Sequence, residues 1–274
     1  MPELPDLEVI AAVLRRRLVG QRIARVTVLR PLVLRPLSGA YTDPSTIEGM
    51  TIRGIDRRAK FLLFTLDGDA RVVINCMLAG RLRLSPTHER VLKRTYVSFT
   101  LANGYDLRYH DAKGMGKIYL TDDLGLVPGL ADAGPDALDP ALTLDVFLER
   151  LKHHRGEIKG VLTRGRCVAG IGNAYADEIL FRAGIYPLRK RTSLSREEQV
   201  ALYTAMREIL TEAILALTER VGENIHIEVR DLLSVHNKKG EPCPRCGQTI
   251  SEIKVARRAT NFCRRCQPGS MFRG

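Results

Sequence analysis

Residues 126–140 read LVPGLADAGPDALDP, and this stretch divides the chain into halves of different periodicity. Pro128, Gly129, Gly134, Pro135 and Pro140 interrupt regular backbone, and Asp132, Asp136 and Asp139 favour turns, so the segment reads as an interdomain linker. Before it, from about Gln21 to Thr121, come the short strand-like runs ARVTVL, MTIRGI, KFLLFTL, RVVINCML, TYVSFTL and GKIYL. Turn signals such as Asp67-Gly68 and Asn103-Gly104 separate several of them, a pattern that favours an antiparallel sandwich or barrel. No G-x-G-x-x-G follows a strand, so a dinucleotide fold has no support. Ahead of the strands, Leu7, Ile10, Val13, Leu14 and Leu18 recur at helical spacing, with Pro5 suited to the first turn and Gly20 to the stop. Beyond the linker the period is helical throughout: LDVFLERLKHH, IKGVLTR, NAYADEILFRAG, then Ser195 to about Val221, where Ser195 and Glu198 have capping-box spacing.

Composition narrows the function classes. The 274 residues carry 43 Lys+Arg against 31 Asp+Glu, a formal charge of +12, and 45% hydrophobic residues support real cores. No apolar run approaches the roughly 18 residues of a membrane span. Glu3 and Asp6 stand where a secretory signal carries positive charge, so the expected location is cytoplasmic. A basic surplus of this kind most often meets a polyanion.

Four of the six cysteines form two pairs, Cys243-Pro-Arg-Cys246 and Cys263-Arg-Arg-Cys266, with sixteen residues between them. In a reducing compartment that spacing points to metal ligation rather than disulfides. Four thiolates suit tetrahedral zinc and leave no water site, so one structural Zn2+ is expected. Residues 238–274 also hold nine basic side chains (Lys238, Lys239, Arg245, Lys254, Arg257, Arg258, Arg264, Arg265, Arg273) against Glu241 and Glu252, a plausible phosphate grip. Cys76 and Cys167 stand alone in apolar or glycine-rich surroundings.

The segment RCVAGIGNAYADE, residues 166–178, sets Gly170, Gly172 and Asn173 before a helix, where backbone amides can hold a phosphate and Asn173 can cap or donate. The same letters describe an ordinary capped turn. Taken together, MPELPDLE at the start, GIGNAYADEILF in the middle and KKGEPCPRCG…RRATNFCRRCQ at the end resemble the formamidopyrimidine-DNA glycosylase and endonuclease VIII family. The resemblance runs in order from the first residues to the last cysteine. It implies an α+β multi-domain fold: an N-terminal helix with an antiparallel β-sandwich over residues 1–130, a linker at 131–140, a helical helix–two-turn–helix domain at 141–237, and a zinc finger at 238–274. It further implies a monomer that excises damaged bases from double-stranded DNA and nicks the abasic site by β,δ-elimination.

The resemblance also assigns roles. The nucleophile corresponds to Pro2, exposed when Met1 is removed. An α-amino group titrates near ~8 and a lysine near ~10.4, so at neutral pH roughly a tenth of the former is uncharged against under a thousandth of the latter. Glu3 resembles the catalytic acid and Lys60 the β-hairpin lysine that contacts phosphate beside the lesion. Asn173, after Gly172, and Arg258 match the asparagine and zinc-finger arginine that grip phosphates around the flipped nucleotide. These contacts give affinity rather than sequence choice.

Three departures qualify the resemblance. The methionine, arginine and phenylalanine that fill the gap in oxoguanine-specific members align with Leu78, Lys113 and Met115, and a slip of one residue would substitute Met77 for Leu78. Lysine lacks the bidentate fork that faces the orphan cytosine, so opposite-base preference should weaken. The segment ENIHIEVRDLLSVHNKKGEP after Gly222 looks shorter than the loop covering 8-oxoguanine in type members, which makes that base a poor expected substrate. Asp6 replaces the usual glutamate. The alternative is a DNA-binding protein of the same fold with little base excision; a zinc hydrolase is disfavoured because a closed four-cysteine site offers no activated water.

Overall fold

The computed structural model describes residues 1–255 and 258–269; Arg257 and Arg273 of the basic C-terminal group lie outside the described residues. The chain forms two compact units. The first comprises Met1–Asp132 with Ala216–Glu228, the second Ala133–Leu215 with the residues from Val229 onward.

In the first unit, α1 (Leu4–Leu18) begins with Pro5 in its first turn and ends before Gly20, whose φ of 86° suits a residue without Cβ. The strands are β1 (Ile23–Val28), β2 (Leu34–Pro36), β3 (Gly54–Arg58), β4 (Phe61–Thr65), β5 (Arg71–Asn75), β6 (Gly80–Pro86), β7 (Thr95–Leu101), β8 (Tyr105–Asp111) and β9 (Lys117–Thr121). They make a four-stranded sheet in the order β1-β7-β8-β6 and a five-stranded sheet in the order β2-β9-β5-β4-β3. Every pairing is antiparallel except β2 with β9. Ile23, Phe99, Leu101 and Leu107 of one sheet and Phe64, Val72 and Ile74 of the other line the same apolar space, so the two sheets share one core, joined by Leu7, Leu14 and Leu18 of α1. The expected sandwich is present. The run MTIRGI is a correction: its strand is Gly54–Arg58, and Thr51 makes only an isolated bridge to Arg22.

The second unit holds α2 (Leu144–Lys152), α3 (Ile158–Thr163), α4 (Asn173–Arg182), most of α5 (Arg196–Val221), and a hairpin of β10 (Ser251–Val255) and β11 (Arg258–Phe262). Thr143 caps α2 by accepting from the Val146 N–H. The expected capping box opens α5: the Ser195 N–H donates to Glu198 at 2.8 Å, and the Glu198 N–H donates back to the Ser195 hydroxyl at 3.3 Å.

Candidate active site and nucleic-acid contacts

At the N-terminus, Glu3 is the N-cap of α1 and 2% exposed, and its N–H donates to the Asp6 carboxylate at 2.8 Å. The shorter acid at position 6 thus reaches the cap. Pro2 is buried, and with Met1 attached its nitrogen is an amide. The Met1 ammonium lies 3.3 Å from Glu228, whose other oxygen accepts from Arg81. Burial pushes the Cys76 thiol up to about 12, against the opposing pull of Arg81 and the N-terminal charge. A thiol held this far up stays protonated and is inert as a nucleophile.

Lys60 occupies the tight turn of the β3–β4 hairpin, after Ala59, whose φ of 54° is left-handed. The hairpin is tied to α1 by Arg57 to Glu8 at 2.7 Å and by Arg15 to the Ile55 carbonyl at 2.8 Å. The loops joining β5 to β6 and β8 to β9 are longer, residues 76–79 and 112–116. Between β5 and β6, Met77 has a φ of 46° and is half-buried, while Leu78 is 45% exposed. Between β8 and β9, Lys113 and Met115 flank Gly114, and Met115 is 40% exposed. Of the two neighbours in the first loop, Leu78 is the one that projects.

In the second unit Gly172 is the N-cap of α4 and Asn173 its first helical residue. Capping by Asn173 is therefore corrected: its side-chain amide instead donates to the Ala259 carbonyl at 2.9 Å, next to exposed Arg258 on β11. Lys159 reaches the same strand, donating to Thr260 at 2.9 Å and to the Ala259 carbonyl at 3.2 Å. Asp177, fully buried, pairs with Lys159 at 2.6 Å and with His236 at 2.7 Å, and accepts from the Asn261 N–H at 3.3 Å. Its neighbour Glu178 accepts from the N–H groups of Ser234, Val235 and His236. The hairpin is held to α3 and α4 by these buried polar groups.

Cys243, Cys246, Cys263 and Cys266 bring their sulfurs within 4.8 Å of one another. Cys246 and Cys263 are 3.5 Å apart and Cys243 and Cys266 3.8 Å. Zn–S bonds of about 2.3 Å at a tetrahedral centre put sulfurs about 3.8 Å apart, so the four fit one zinc ion. The Gln248 N–H draws the Cys246 thiol down to about 7, poising one ligand for deprotonation. Arg245 stacks 4.6 Å above the Phe181 ring and Gln267 donates to the Ile185 carbonyl, fixing the cysteine module against the end of α4.

Comparison with known proteins gives these arrangements a family. Residues 1–118 match the formamidopyrimidine-DNA glycosylase N-terminal domain, residues 133–223 its H2TH domain, and residues 240–269 the zinc finger found in FPG and IleRS. The chain is 38% identical to the formamidopyrimidine-DNA glycosylase of Symbiobacterium thermophilum, covering 98% of this chain and 90% of the relative. The chain belongs to the formamidopyrimidine-DNA glycosylase family. The Geobacillus kaustophilus member is 37% identical over 97% of this chain and all (100%) of its own. Among solved structures, Lactococcus lactis Fpg in complex with DNA containing an abasic site superposes with a TM-score of 0.88 at 30% identity, over 97% of this chain and 100% of that one. A variant of the same protein with Fapy-dG containing DNA gives 0.88 at 31% identity, over 98% and 100%.

Membership makes the chain a DNA glycosylase with a zinc finger. Among the described residues no helix is long and apolar enough to cross a membrane. Sequence reasoning missed the Lys159–Asp177–His236 chain, because a buried ion pair carries no periodic signal and its members lie up to 77 positions apart. It also missed Arg81 and Glu228 around the N-terminus.

Proposed function

We propose that the chain removes damaged bases from double-stranded DNA and cleaves the abasic site through the Pro2 amine. The observation carrying this reading is the entry to α1, where a buried Glu3 directly follows Pro2, its backbone N–H held by the Asp6 carboxylate and its side chain turned back to the Asp6 N–H in a capping box. Once Met1 is removed, the freed secondary amine attacks C1′ of the deoxyribose, the glycosidic bond breaks and the base departs with a proton. Glu3 donates to the sugar ring oxygen as it opens. The resulting iminium acidifies C2′, and loss of that proton expels the 3′ phosphate, then the 5′ phosphate in a second elimination. Lys60, Asn173 and Arg258 contact phosphates, Gly172 opens the helix for the same purpose, and Leu78, Lys113 and Met115 fill the gap left by the flipped nucleotide. The work is done as a cytoplasmic, DNA-associated enzyme, with residues 1–130, 141–237 and 238–274 as its sandwich, helical and finger domains.

We assign ring-opened purines, oxidised pyrimidines and abasic sites as substrates ahead of 8-oxoguanine. Support comes from the segment after α5: Glu223 pairs with Arg16 and Arg17, and Ile225 is buried in the sandwich core, so its first part is anchored rather than free to cover a base.

The test is borohydride trapping on an oligonucleotide with one abasic site, using protein whose intact mass shows Met1 removed. A covalent adduct is expected, with Pro2→Gly keeping DNA affinity but losing most excision. Glu3→Gln lowers excision by about 10²–10⁴-fold. Tight binding without an adduct would instead select a DNA-binding relative that has lost its chemistry.

A further inference from the structure

The loops carrying Leu78 on one side and Lys113 and Met115 on the other converge on a pair of fully buried polar side chains. Tyr109 and Asp111, two residues apart at the end of β8, are both 0% exposed. The two oxygens of Asp111 divide their work along the second loop: one accepts the Lys113 N–H and the other the Gly116 N–H, each at 2.8 Å. The Tyr109 hydroxyl donates to the second oxygen at 3.3 Å. Burial pushes the Tyr109 hydroxyl far up, so it remains a donor.

The first loop closes on the same pair. Gly80, where that loop enters β6, lies opposite Asp111 in the sheet, and its N–H donates to the Cys76 carbonyl at 2.8 Å. A Cβ at Gly80 would sit 2.1 Å from the Tyr109 hydroxyl, and one at Gly116 1.6 Å from it. The hydroxyl is therefore wedged between the backbones of both loops, which approach only because these positions have no side chain. The middle of the second loop is backed in the same way: a Cβ at Gly114 would meet the Tyr96 hydroxyl at 2.6 Å.

We propose that Asp111, braced by Tyr109, is the positioning residue that locks the Leu78 loop and the Lys113–Met115 loop into one rigid wedge for opening duplex DNA. The inference rests on the reading of Leu78, Lys113 and Met115 as gap-filling residues. A buried carboxylate is costly unless its oxygens are satisfied, and here its donors come from one wedge loop and from the tyrosine that contacts both. An apolar tip held by a fixed backbone can unstack a base step without losing ordering entropy during insertion. Asparagine at 111 keeps the volume but offers one acceptor oxygen and turns an N–H₂ group toward an N–H.

The experiment compares Asp111→Asn, Tyr109→Phe and the double variant Leu78→Ala/Met115→Ala. Three readouts are taken: fluorescence of 2-aminopurine placed beside a tetrahydrofuran site in a duplex, single-turnover base excision from duplex DNA, and borohydride trapping on a single-stranded abasic oligonucleotide, where no stack needs opening. Asp111→Asn is expected to blunt the fluorescence rise and slow duplex excision about 10- to 100-fold, the scale of an ångström-level misplacement, while single-strand trapping persists. Tyr109→Phe, which keeps the ring, shifts the duplex readouts the same way by less, and it carries the test if Asp111→Asn fails to fold. Duplex readouts unchanged in both single variants, with the double variant impaired, would overturn the role of Asp111. Equal loss in duplex and single-strand assays would also overturn it, placing Asp111 with the amine chemistry. An unimpaired double variant would overturn the wedge reading itself, and this inference with it.

Discussion

The first unit holds its proposed DNA-contacting side chains on short turns of a stiff sandwich, whereas the second holds its own through buried charges and a cluster of thiols. Ala59, Met77 and Gly114 take left-handed backbone at the tips carrying Lys60, Leu78 and Met115, and the rigidity beneath them comes from two apolar sheet faces sharing a core. In the second unit the apolar cluster around the cysteines is small: Phe181, Val235, Cys243, Ile250 and Cys263, with Cys246 and Cys266 at its edge. Position there depends on Lys159, Asp177, His236 and Glu178 tying β11 and residues 234–236 to α3 and α4. A large core keeps its fold when one polar contact is lost, even where a loop it carries is displaced; a small module held by charges does not. The two units should accordingly fail separately and by different causes.

The largest effect expected from this contrast follows loss of the metal. Cys243→Ser, or a strong chelator, removes a ligand from a site whose zinc contributes on the order of 10 kcal/mol in modules of this kind. Hydrogen exchange should then accelerate in β10, β11 and residues 240–250, DNA binding should weaken across all sequences, and the sandwich strands should keep their protection. Equal loss of protection in β4 and β5 would remove the distinction between the units.

A smaller, sharper break is Asp177→Ala. It removes the carboxylate that pairs with Lys159, 6% exposed, and breaking a buried ion pair of this type costs about 3–5 kcal/mol. Urea unfolding followed by a probe in the second unit should shift by that amount, with zinc still bound. Replacing Lys159 by Met together with Asp177→Ala should recover much of the loss, since neither member of the buried pair then remains. A double variant as unstable as the single one would show that geometry, rather than unpaired charge, sets the cost.

How far the sequence reveals all this also differs between the units. The helices after the linker and the cysteine pairs are legible because period and ligand spacing are local. In the sandwich, β6 and β8 escape pattern reading: GRLRLSP and YDLRYHD alternate apolar residues with arginine, aspartate and histidine, and Arg108 is buried against Asp106 at 2.8 Å. Hydropathy alone treats such strands as surface. Pro2 and Glu3, the proposed N-terminal site, stand at the start of the chain, but Glu228 and Arg81 reach Met1 from 227 and 80 positions away, through folding alone. The same holds for Asp111, whose role depends on two glycines that look unremarkable in the sequence.

The smallest expected effect tests whether the units also titrate apart. Burial holds His110 in the first unit and His154 in the second below the ordinary 6.5, with Arg94 adding to the depression at His110 against the pull of Asp111, and Arg150 adding to it at His154. The His110 Nδ1 is buried without a hydrogen-bond partner, so no hydrogen bond at that nitrogen offsets the cost of charging the ring. In the unfolded chain each histidine takes its proton near 6.5; in the folded chain it does so only at lower pH. Between those values the unfolded state binds more protons, so stability is full above 6.5 and falls as the pH drops through that window. Urea midpoints measured from about pH 7 down to about pH 5 should therefore decline. His110→Gln should flatten the decline for a probe in the sandwich and leave a probe near the cysteines unchanged, and His154→Gln should do the reverse. If either substitution flattens both probes equally, the units unfold as one and their separate means of support act within a single cooperative transition.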